Sequence, residues 1–363
     1  MSFRRFIHPI ANRAPVVAGA VLLAGLALST TSCGKKSGTP DWDTPGGSAP
    51  ASVETVAPAA VVPVEPATAP LEAPVVQPET SAASKEPLSS AGLRFIGYNV
   101  ENWLTMDRYV DHKTLKDSPK PATEKKAVVK ILAANSPDVI GICEIGTAGD
   151  LAELQESLKA AGLDLPHLHY VGGSDPVRHL GLLSRFPITS TAKPAETEFK
   201  LNGRTFGINR GILDASIMAR GKSYRFIGVH LKSKREVEGI DQEQMRIHEG
   251  RLLRRHVDSI LQADPDARLI VYGDFNDTRP TKAFKAVTGS YNDPGYLTAI
   301  PFKDSRGDAW THYWALHDIY SRIDFVTVSR ALRPELDFRA SHLVEDAGWN
   351  NGSDHRPLLA IFK

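Results

Sequence analysis

The stretch from 269 to 277, Leu-Ile-Val-Tyr-Gly-Asp-Phe-Asn-Asp, constrains the fold more than any other part of the sequence. Its apolar run predicts a buried strand, and Gly273 lets the backbone turn and present Asp274, Asn276 and Asp277 just past the strand end. Ligands of α/β sheets bind at such strand ends. A carboxylate there can take a proton from water while a nearby amide holds a phosphate oxygen. The alternative is an Asx-rich turn that only ends the strand.

The first 33 residues predict a targeting segment. Arginines precede a short apolar run, Val16 to Leu28, and Ser-Thr-Thr-Ser then leads to Cys33. The run is short for a membrane span and suits a signal-peptide core. The small residues before Cys33 resemble a bacterial lipoprotein processing site, and a simple cleaved signal or an uncleaved anchor are the alternatives. Each predicts an extracytoplasmic protein, secreted or tethered to a bacterial membrane through Cys33.

A change of composition separates a linker from a folded domain. Residues 34–92 are rich in Pro, Ala, Val, Ser, Thr and Glu without periodicity, which predicts a disordered linker. Residues 93–363 fit one domain, in which Cys143 lies in an apolar run and is expected to be buried. The net charge of +1 argues against a strongly basic nucleic-acid clamp, but not against an enzyme that meets phosphates inside a cleft.

Apolar segments of the domain predict strands that alternate both with helices and with other strands. Helices are expected at about 122–134, 150–161 and 238–263, the last with a solvated, arginine-rich face. Residues 107–121 are expected to form a long polar loop. This mixture favours an α+β fold over an all-parallel barrel, namely a four-layer sandwich of two mixed β-sheets packed face to face with helices outside.

Polar residues follow many of the predicted strands. They are Asn99, Glu101, Glu144, Arg210, His230, Lys232, Asp274, Asn276, Asp324, Asp354 and His355. A carboxylate directly after an apolar run, such as Glu144, is costly unless it has a partner, and a metal ion is one candidate. Mg²⁺ uses one or two protein carboxylates and substrate phosphate, which Glu144 and Asp354, with Glu101, would suit. Lone histidines such as His179 and His312 are expected to be structural.

Short motifs occur in a characteristic order along the domain. They are Tyr98-Asn-Val-Glu101, Asp138 to Glu144, Leu182-Leu-Ser-Arg-Phe-Pro187, Asn209-Arg210, Val229-His230-Leu231, Gly273-Asp-Phe-Asn276, Arg322-Ile-Asp324 and Ser353-Asp-His355. Together they resemble the endonuclease/exonuclease/phosphatase superfamily, and a histidine at 230 is similar to its deoxyribonuclease-I-like branch. The resemblance covers essentially all of residues 93–363.

The resemblance implies a hydrolase that acts on phosphate esters with Mg²⁺ as cofactor, or with Mn²⁺ or Ca²⁺ instead. It implies that Glu144 is the main metal ligand and that Glu101 and Asp354 complete or share the site. It also implies that Asp274 orients or deprotonates the attacking water. The amides implied to hold substrate and neighbouring carboxylates are those of Asn99 and Asn276.

The remaining roles implied by the resemblance concern the substrate. His355, held in one tautomer by Asp324, would stabilise the phosphoryl oxygens. His230 would protonate the leaving oxygen, although no acidic residue that orients this histidine is identified from the sequence. Arg210 would grip a phosphate, and Lys232 is expected at the rim of the cleft.

The leading hypothesis is an extracytoplasmic nuclease that hydrolyses phosphodiester bonds by in-line attack of water, because Arg210 and His230 together are most like the deoxyribonuclease branch. A phospholipid or inositol phosphate phosphoesterase is the alternative. A non-catalytic envelope binding protein of the same fold is a third hypothesis, against which the intact acid, base and metal positions argue. The expected partners are the substrate and a membrane reached through the N-terminal anchor. No protein partner is predicted, and the chain is expected to be a monomer.

Overall fold

The computed structural model describes residues 92–110 and 112–363. The predicted signal segment, and the predicted linker up to residue 91, lie outside the described residues. Among the helices of the described part, none is long and apolar enough to cross a membrane.

The described chain contains a series of strands, longer α-helices and two short 3-10 helices. The strands are β1 (Arg94–Trp103), β2 (Met106–Val110), β3 (Lys113–Ser118), β4 (Val139–Ile145), β5 (His167–Val171), β6 (His179–Ser184), β7 (Ile188–Thr191), β8 (Glu198–Leu201), β9 (Arg204–Gly207), β10 (Ile212–Ala219), β11 (Lys222–His230), β12 (Leu269–Asp274), β13 (Thr298–Ala299), β14 (His312–Trp314), β15 (Ile319–Ser321), β16 (Asp324–Val328), β17 (His342–Leu343) and β18 (Leu358–Ile361). The α-helices are α1 (Ala122–Asn135), α2 (Ala148–Ala160), α3 (Gln242–Ala263) and α4 (Lys282–Thr288), and the 3-10 helices are Arg333–Glu335 and Trp349–Asn351.

Two six-stranded mixed sheets share one plan. The strand order is β17-β18-β1-β4-β6-β5 in the first sheet and β13-β16-β12-β11-β10-β7 in the second. Each sheet has a central parallel pair, β1 with β4 and β11 with β12, and each of these pairs has antiparallel neighbours. Since parallel strands need a long crossover, α1 connects the first pair and α3 connects the second. The carboxyl ends of both strands of a pair therefore lie at one edge of their sheet.

The core has three layers of apolar contact. Side chains of both sheets, among them Phe95, Leu213 and Tyr272, form a central cluster. A second cluster joins α1 and α2 to the first sheet, and a third joins α3 and α4 to the second sheet. The structure therefore confirms the four-layer sandwich with helices outside, and it confirms that Cys143 is buried.

Two local predictions were wrong. The segment expected to be a long loop forms the hairpin β2–β3, and the side chain of the following Lys120 is buried and donates to the backbone oxygen of Glu101 at 2.8 Å. The arginines of α3 are not all solvated. Arg246 is buried and pairs with Asp277, and Arg254 donates to the backbone oxygen of Gly295 at 3.1 Å. Both α3 arginines thus tie the helix to loops, because they face the protein rather than water.

Candidate active site

Polar side chains at the carboxyl ends of the two parallel pairs meet at one place. Asn99, beside Cys143 in the register of β1 and β4, comes from the first sheet. In the second sheet His230, Asp274 and Asp324 lie side by side at the ends of β11, β12 and the start of β16. Strand ends of the two sheets thus supply the polar groups of the site.

The backbone is unusual at these strand ends. Glu101, Asn102, Glu144 and Asn276 all have positive φ, between 46° and 66°. Residues other than glycine adopt this conformation rarely, and such outliers concentrate at functional sites. Glu101, Asn102 and Glu144 lie where the pairing of β1 with β4 shifts register, between Asn99 and Trp103, and Asn276 follows the end of β12.

The side chain of Asn99 joins the two sheets. Its Nδ2 donates to Glu144 Oε1 and to Asp274 Oδ2, at 3.2 Å each, and its Oδ1 accepts from the backbone nitrogen of Glu101 at 3.0 Å. The amide is 2% exposed, so these bonds are shielded from water. Asn99 therefore holds the two carboxylates at a fixed separation.

Glu144 is held as an anion. Its Oε2 accepts from the backbone nitrogen of Asn102 at 3.0 Å and lies 3.8 Å from Nε of Arg178, which itself donates to Asn102 Oδ1 at 2.8 Å. Burial raises the pKa of Glu144, but the positive Arg178 and, after it, His230 and His355 outweigh burial and lower the pKa to about 2. The carboxylate is therefore ionised at any pH at which the protein works.

Asp274 has the opposite electrostatic environment. Burial raises its pKa, the neighbouring Asp324 raises it further, and the result is a pKa of about 7. The backbone nitrogen of Asn276 donates to its Oδ1 at 2.7 Å, and Nε2 of His230 lies 3.6 Å from its Oδ2. A carboxylate whose pKa is near neutrality is suited to accept a proton.

His355 is oriented from two sides. Its Nδ1 lies 2.8 Å from Asp324 Oδ2, and its backbone nitrogen donates to Ser353 Oγ at 3.1 Å. The hydroxyl of Thr311 accepts from the backbone nitrogen of Asp324 at 3.1 Å and so fixes the orienting carboxylate. Although burial lowers the pKa of His355, Asp324 and Asp354 raise it more, and the net pKa lies well above its ordinary value. His355 thus presents a positively charged Nε2 to the site.

His230 and Arg210 form the other side of the site. Nε2 of His230 lies 3.9 Å from Glu144 Oε1, whereas its buried Nδ1 has no hydrogen-bond partner among the described residues. Burial and then the nearby Arg210 lower its pKa well below the ordinary value. Nε of Arg210 lies 3.2 Å from Asp175 Oδ2 without hydrogen-bond alignment, and its buried Nη1 has no partner in the described part of the chain. A buried guanidinium with unused donors is equipped to bind an anion.

Comparison with known proteins agrees with this geometry. The sequence profile of the Endonuclease/Exonuclease/phosphatase family matches residues 115–355. The chain belongs to this family. Members of the family are hydrolytic phosphoesterases that use a divalent metal. No curated protein matches the chain by sequence.

Solved structures of the endonuclease/exonuclease/phosphatase fold superpose on the chain. The catalytic domain of human Nocturnin is 18% identical with a TM-score of 0.54, over 75% of this chain and 94% of that one. The 3′ phosphatase NExo from Neisseria, bound to product DNA hairpin, is 16% identical with a TM-score of 0.52, over 75% and 99%. A beta toxin mutant from Staphylococcus aureus with bound magnesium ions is 16% identical with a TM-score of 0.51, over 75% and 100%. At these identities the likeness establishes the fold.

The carboxyl groups of this family member suit a hard divalent cation, because they offer oxygen atoms at a partly accessible site. The predicted ligands Glu101, Glu144 and Asp354 line one side, where Glu101 Oε2 accepts from the backbone nitrogen of Asp354 at 3.0 Å. The ligand atoms of this trio are more widely spaced than those of two other groups of the described residues. In each of those groups the ligand atoms lie within 4.8 Å of one another. The two groups are Asp274, Asp324 and His355, and His312, Asp354 and His355. Because Mg²⁺ keeps several waters, the more widely spaced trio remains the predicted magnesium site.

Lys232 and Asn276, two of the predicted residues, lie beside the helix α3. The backbone nitrogen of Lys232 donates to Glu249 Oε2 at 2.6 Å, and burial followed by the positive Arg210 lowers the pKa of its amine. Asn276 Nδ2 donates to the backbone oxygen of Leu231 at 3.0 Å. Lys232 thus lies on the same side of the site as Arg210.

The sequence did not indicate Asp175, Arg178 and Glu249 as neighbours of the site. Arg178 and Asp175 come from the loop before β6, where no apolar run marks their orientation. Glu249 is fully buried and also accepts from the backbone nitrogen of Asn209 at 2.9 Å. Its position four residues after Met245 and three before Leu252, on the apolar face of α3, was a signal of burial that went unused.

Proposed function

We propose that the protein is an extracytoplasmic phosphodiesterase that requires a divalent metal, with nucleic acid as its first substrate class. The observation that carries the proposal is that Asn99 bonds an ionised Glu144 and a near-neutral Asp274 at once, with two histidines within 4 Å of these carboxylates. Two neighbouring carboxylates whose environments move their pKa values apart, to about 2 and about 7, are suited to different chemical roles.

Each residue has a chemical part in this proposal. Bound next to Glu144, a metal ion would neutralise the phosphate and polarise its oxygen. Asp274 accepts the proton of the attacking water, and the backbone of Asn276 holds this carboxylate in place. His355, fixed by Asp324, donates to the phosphoryl oxygens as their negative charge grows. The imidazole of His230 is neutral in the resting state because its pKa is lowered. It takes part in proton transfer at the leaving oxygen after the substrate enters.

The preference for a nucleic acid rests on Arg210. In a nucleic acid, the phosphodiester that is cleaved has further phosphates on both sides, whereas a single small phosphate ester has no neighbouring phosphate. The unused donors of Arg210, with the amine of Lys232 beside it, form a cationic surface next to His230 that fits such a neighbouring phosphate. Basic groups that contact phosphates position a nucleic acid without reading its sequence.

A specific observation favours a second candidate, a phospholipid head group. The hairpin β14–β15 exposes Trp314, Leu316, Ile319 and Tyr320. Exposed apolar and aromatic side chains of this kind mark protein or membrane contact sites. The base of this hairpin pairs with His355, so a surface bound by the hairpin would lie close to the candidate active site.

The test compares substrates under one condition. The purified protein with Mg²⁺ is incubated with plasmid DNA, RNA, phospholipid vesicles, inositol phosphates and bis(4-nitrophenyl) phosphate. We expect cleavage of nucleic acid, and Glu144→Gln should reduce it by about 10²-fold or more because the metal and the charge of its site are lost. The exposed Asp164→Asn is the matched control and should keep full activity.

The outcomes separate the candidates. Cleavage of vesicle lipid without cleavage of nucleic acid would establish the second candidate. Failure on every ester, by a protein that melts cooperatively, would refute the enzymatic proposal and leave a binding protein of this fold. The location is tested separately, because a lipid-anchored chain should move from the membrane fraction to the soluble fraction in Cys33→Ala.

A further inference from the structure

We propose that His312, Asp354 and His355 form a second metal site, selective for Zn²⁺ and similar nitrogen-preferring ions, which shares Asp354 with the predicted magnesium site. Nε2 of His312 lies 3.4 Å from Asp354 Oδ2, and Nε2 of His355 lies 3.6 Å from Asp354 Oδ1. The three ligand atoms lie within 4.8 Å of one another.

These separations match a zinc site. With Zn–N and Zn–O bonds of about 2.0–2.1 Å, two ligands of a tetrahedral ion lie about 3.3 Å apart. The distance between His312 and Asp354 is already close to this value. The distance of 3.6 Å between His355 and Asp354 is slightly longer, and the Asp354 side chain, 40% exposed, is accessible from solvent.

The backbone holds the two histidines together. His312 in β14 pairs with His355 across an antiparallel bridge, which places their side chains as direct neighbours. The backbone nitrogen of Tyr313 donates to the oxygen of Asp354 at 2.9 Å, and that of Arg356 donates to the oxygen of Thr311 at 2.7 Å. The imidazole rings lie 4.6 Å apart, centre to centre. The backbone therefore places both histidines before an ion arrives, and the ion would displace the proton from Nε2 of His355.

The surroundings have two further features of a metal site. Nδ1 of His355 lies 2.8 Å from Asp324 Oδ2, and such a carboxylate behind a histidine leaves Nε2 to the metal. Asp274 Oδ2 lies 3.8 Å from the same Nε2 and adds negative charge. The exposed side of Asp354 leaves a path for an ion and a free coordination position for water or substrate.

The donor set decides which ion binds. Two imidazoles and one carboxylate resemble the three-ligand set of catalytic zinc sites, whereas Mg²⁺ prefers oxygen ligands alone. An ion held there would occupy Nε2 of His355, the group assigned to the phosphoryl oxygens. This consequence rests on the proposed function: Zn²⁺ should inhibit Mg²⁺-supported hydrolysis. The site itself does not depend on that function.

Co²⁺, which takes zinc sites and absorbs visible light when tetrahedral, is the probe for the full-length protein. We expect one Co²⁺ per chain with visible absorption that Zn²⁺ abolishes. His312→Gln should weaken binding about tenfold or more, and His317→Gln, an exposed histidine of the same hairpin, should not. Glu144→Gln should keep the site, which separates it from the magnesium site.

Each result decides the proposal. Equal Co²⁺ affinity in His312→Gln and the unaltered protein would overturn it, and so would loss of binding in Glu144→Gln. To guard against a misfolded variant, long-range ¹H–¹⁵N spectra of the unaltered protein are recorded during a Zn²⁺ titration. Nε2 of both His312 and His355 should shift together at one equivalent, and a shift of neither would also overturn the proposal. These measurements require no turnover, so they remain informative if the proposed function fails.

Discussion

The ends of the two parallel pairs are built alike and behave oppositely. In the first sheet Glu144 is the second-to-last residue of β4, and in the second Asp274 is the last residue of β12. Each lies at the end of a buried strand that is reached by a helical crossover, and each accepts a hydrogen bond from Asn99. Yet the pKa of Glu144 is about 2 and the pKa of Asp274 is about 7.

The difference comes from neighbours rather than from burial. Burial raises the pKa of both carboxyl groups. Beside Glu144 stands the positive Arg178, and beside Asp274 stands the negative Asp324, its neighbour in the register of β12 and β16. The same strand arrangement thus gives two different carboxyl groups. Glu144 stays an anion and suits a cation, whereas Asp274 accepts protons near neutral pH. This comparison supports different parts for the two residues in catalysis.

The largest expected effect comes from removing the proton acceptor. Asp274→Asn keeps the shape of the side chain but cannot take a proton, so kcat should fall about 10²- to 10⁴-fold. Mg²⁺ affinity, measured by calorimetry, should change far less because Glu144 stays ionised. If Mg²⁺ affinity and kcat collapsed together in this variant, the two strand ends would share one role and the comparison would be broken.

Arg178→Gln tests the cause of the difference. Arg178 lowers the pKa of Glu144, and burial raises it. Without the positive charge this pKa should rise, so that protons compete with Mg²⁺ at mildly acidic pH. Mg²⁺ affinity should then fall more steeply below pH 7 than in the unaltered protein, by up to about tenfold more per pH unit. Calorimetric titrations at several pH values measure this slope.

The exposed Arg339→Gln is the control for that experiment, since it removes the same charge away from the site. It should leave the dependence of Mg²⁺ affinity on pH unchanged. An identical slope in Arg178→Gln and the unaltered protein would show that another group keeps Glu144 ionised.

The sequence predicted the strand-end residues well because an apolar run that stops at a polar side chain is visible in one dimension. The second sheet was therefore anticipated through His230 and Asp274. The neighbouring residues that set their pKa values could not be read from the sequence. Arg178 lies in a loop without periodicity, and its distance of 3.8 Å from Glu144 exists only in the fold.

The contacts of the hairpin β14–β15 could not be predicted from the sequence either. The sequence shows an aromatic stretch at residues 310–314, but it does not show that His312 pairs with His355, which is 43 residues away along the chain. Long-range register of this kind depends on which strands become neighbours. No local pattern encodes it, so the first prediction for His312 was a structural role.

Glu101 sharpens the comparison further, because it lies near Glu144 but has a raised pKa. Burial and then the adjacent Asp354 raise this pKa to about 8, against the opposing Lys120. At pH 7 the group is mostly protonated, so Mg²⁺ binding through it should release close to one proton. Affinity should rise by up to about tenfold per pH unit below pH 8 and level off above it.

Calorimetry in two buffers of different ionisation heat measures the released protons directly. Glu101→Gln should abolish the release while the remaining affinity becomes less dependent on pH. Release that persists undiminished in this variant would assign the proton to another residue.

The smallest expected effect is on stability and concerns the core beneath the site, where β4 and β12 differ in the size of their side chains. β4 provides Gly141, and β12 provides Tyr272, whose ring would lie only 2.0 Å from a Cβ added at Gly141. The ring thus fills the space that the glycine leaves between the sheets. Its buried hydroxyl has no hydrogen-bond partner among the described residues, and burial raises its pKa well above the ordinary value.

Tyr272→Phe should therefore keep the ring contacts and remove an unsatisfied polar group. The free energy of unfolding should stay the same or rise by up to about 1 kcal/mol, measured by urea denaturation. A loss of more than about 1 kcal/mol would mean that the hydroxyl is paired, for example with a buried water. The strand β12 would then differ from β4 by a polar contact in the core as well as by the charge at its end.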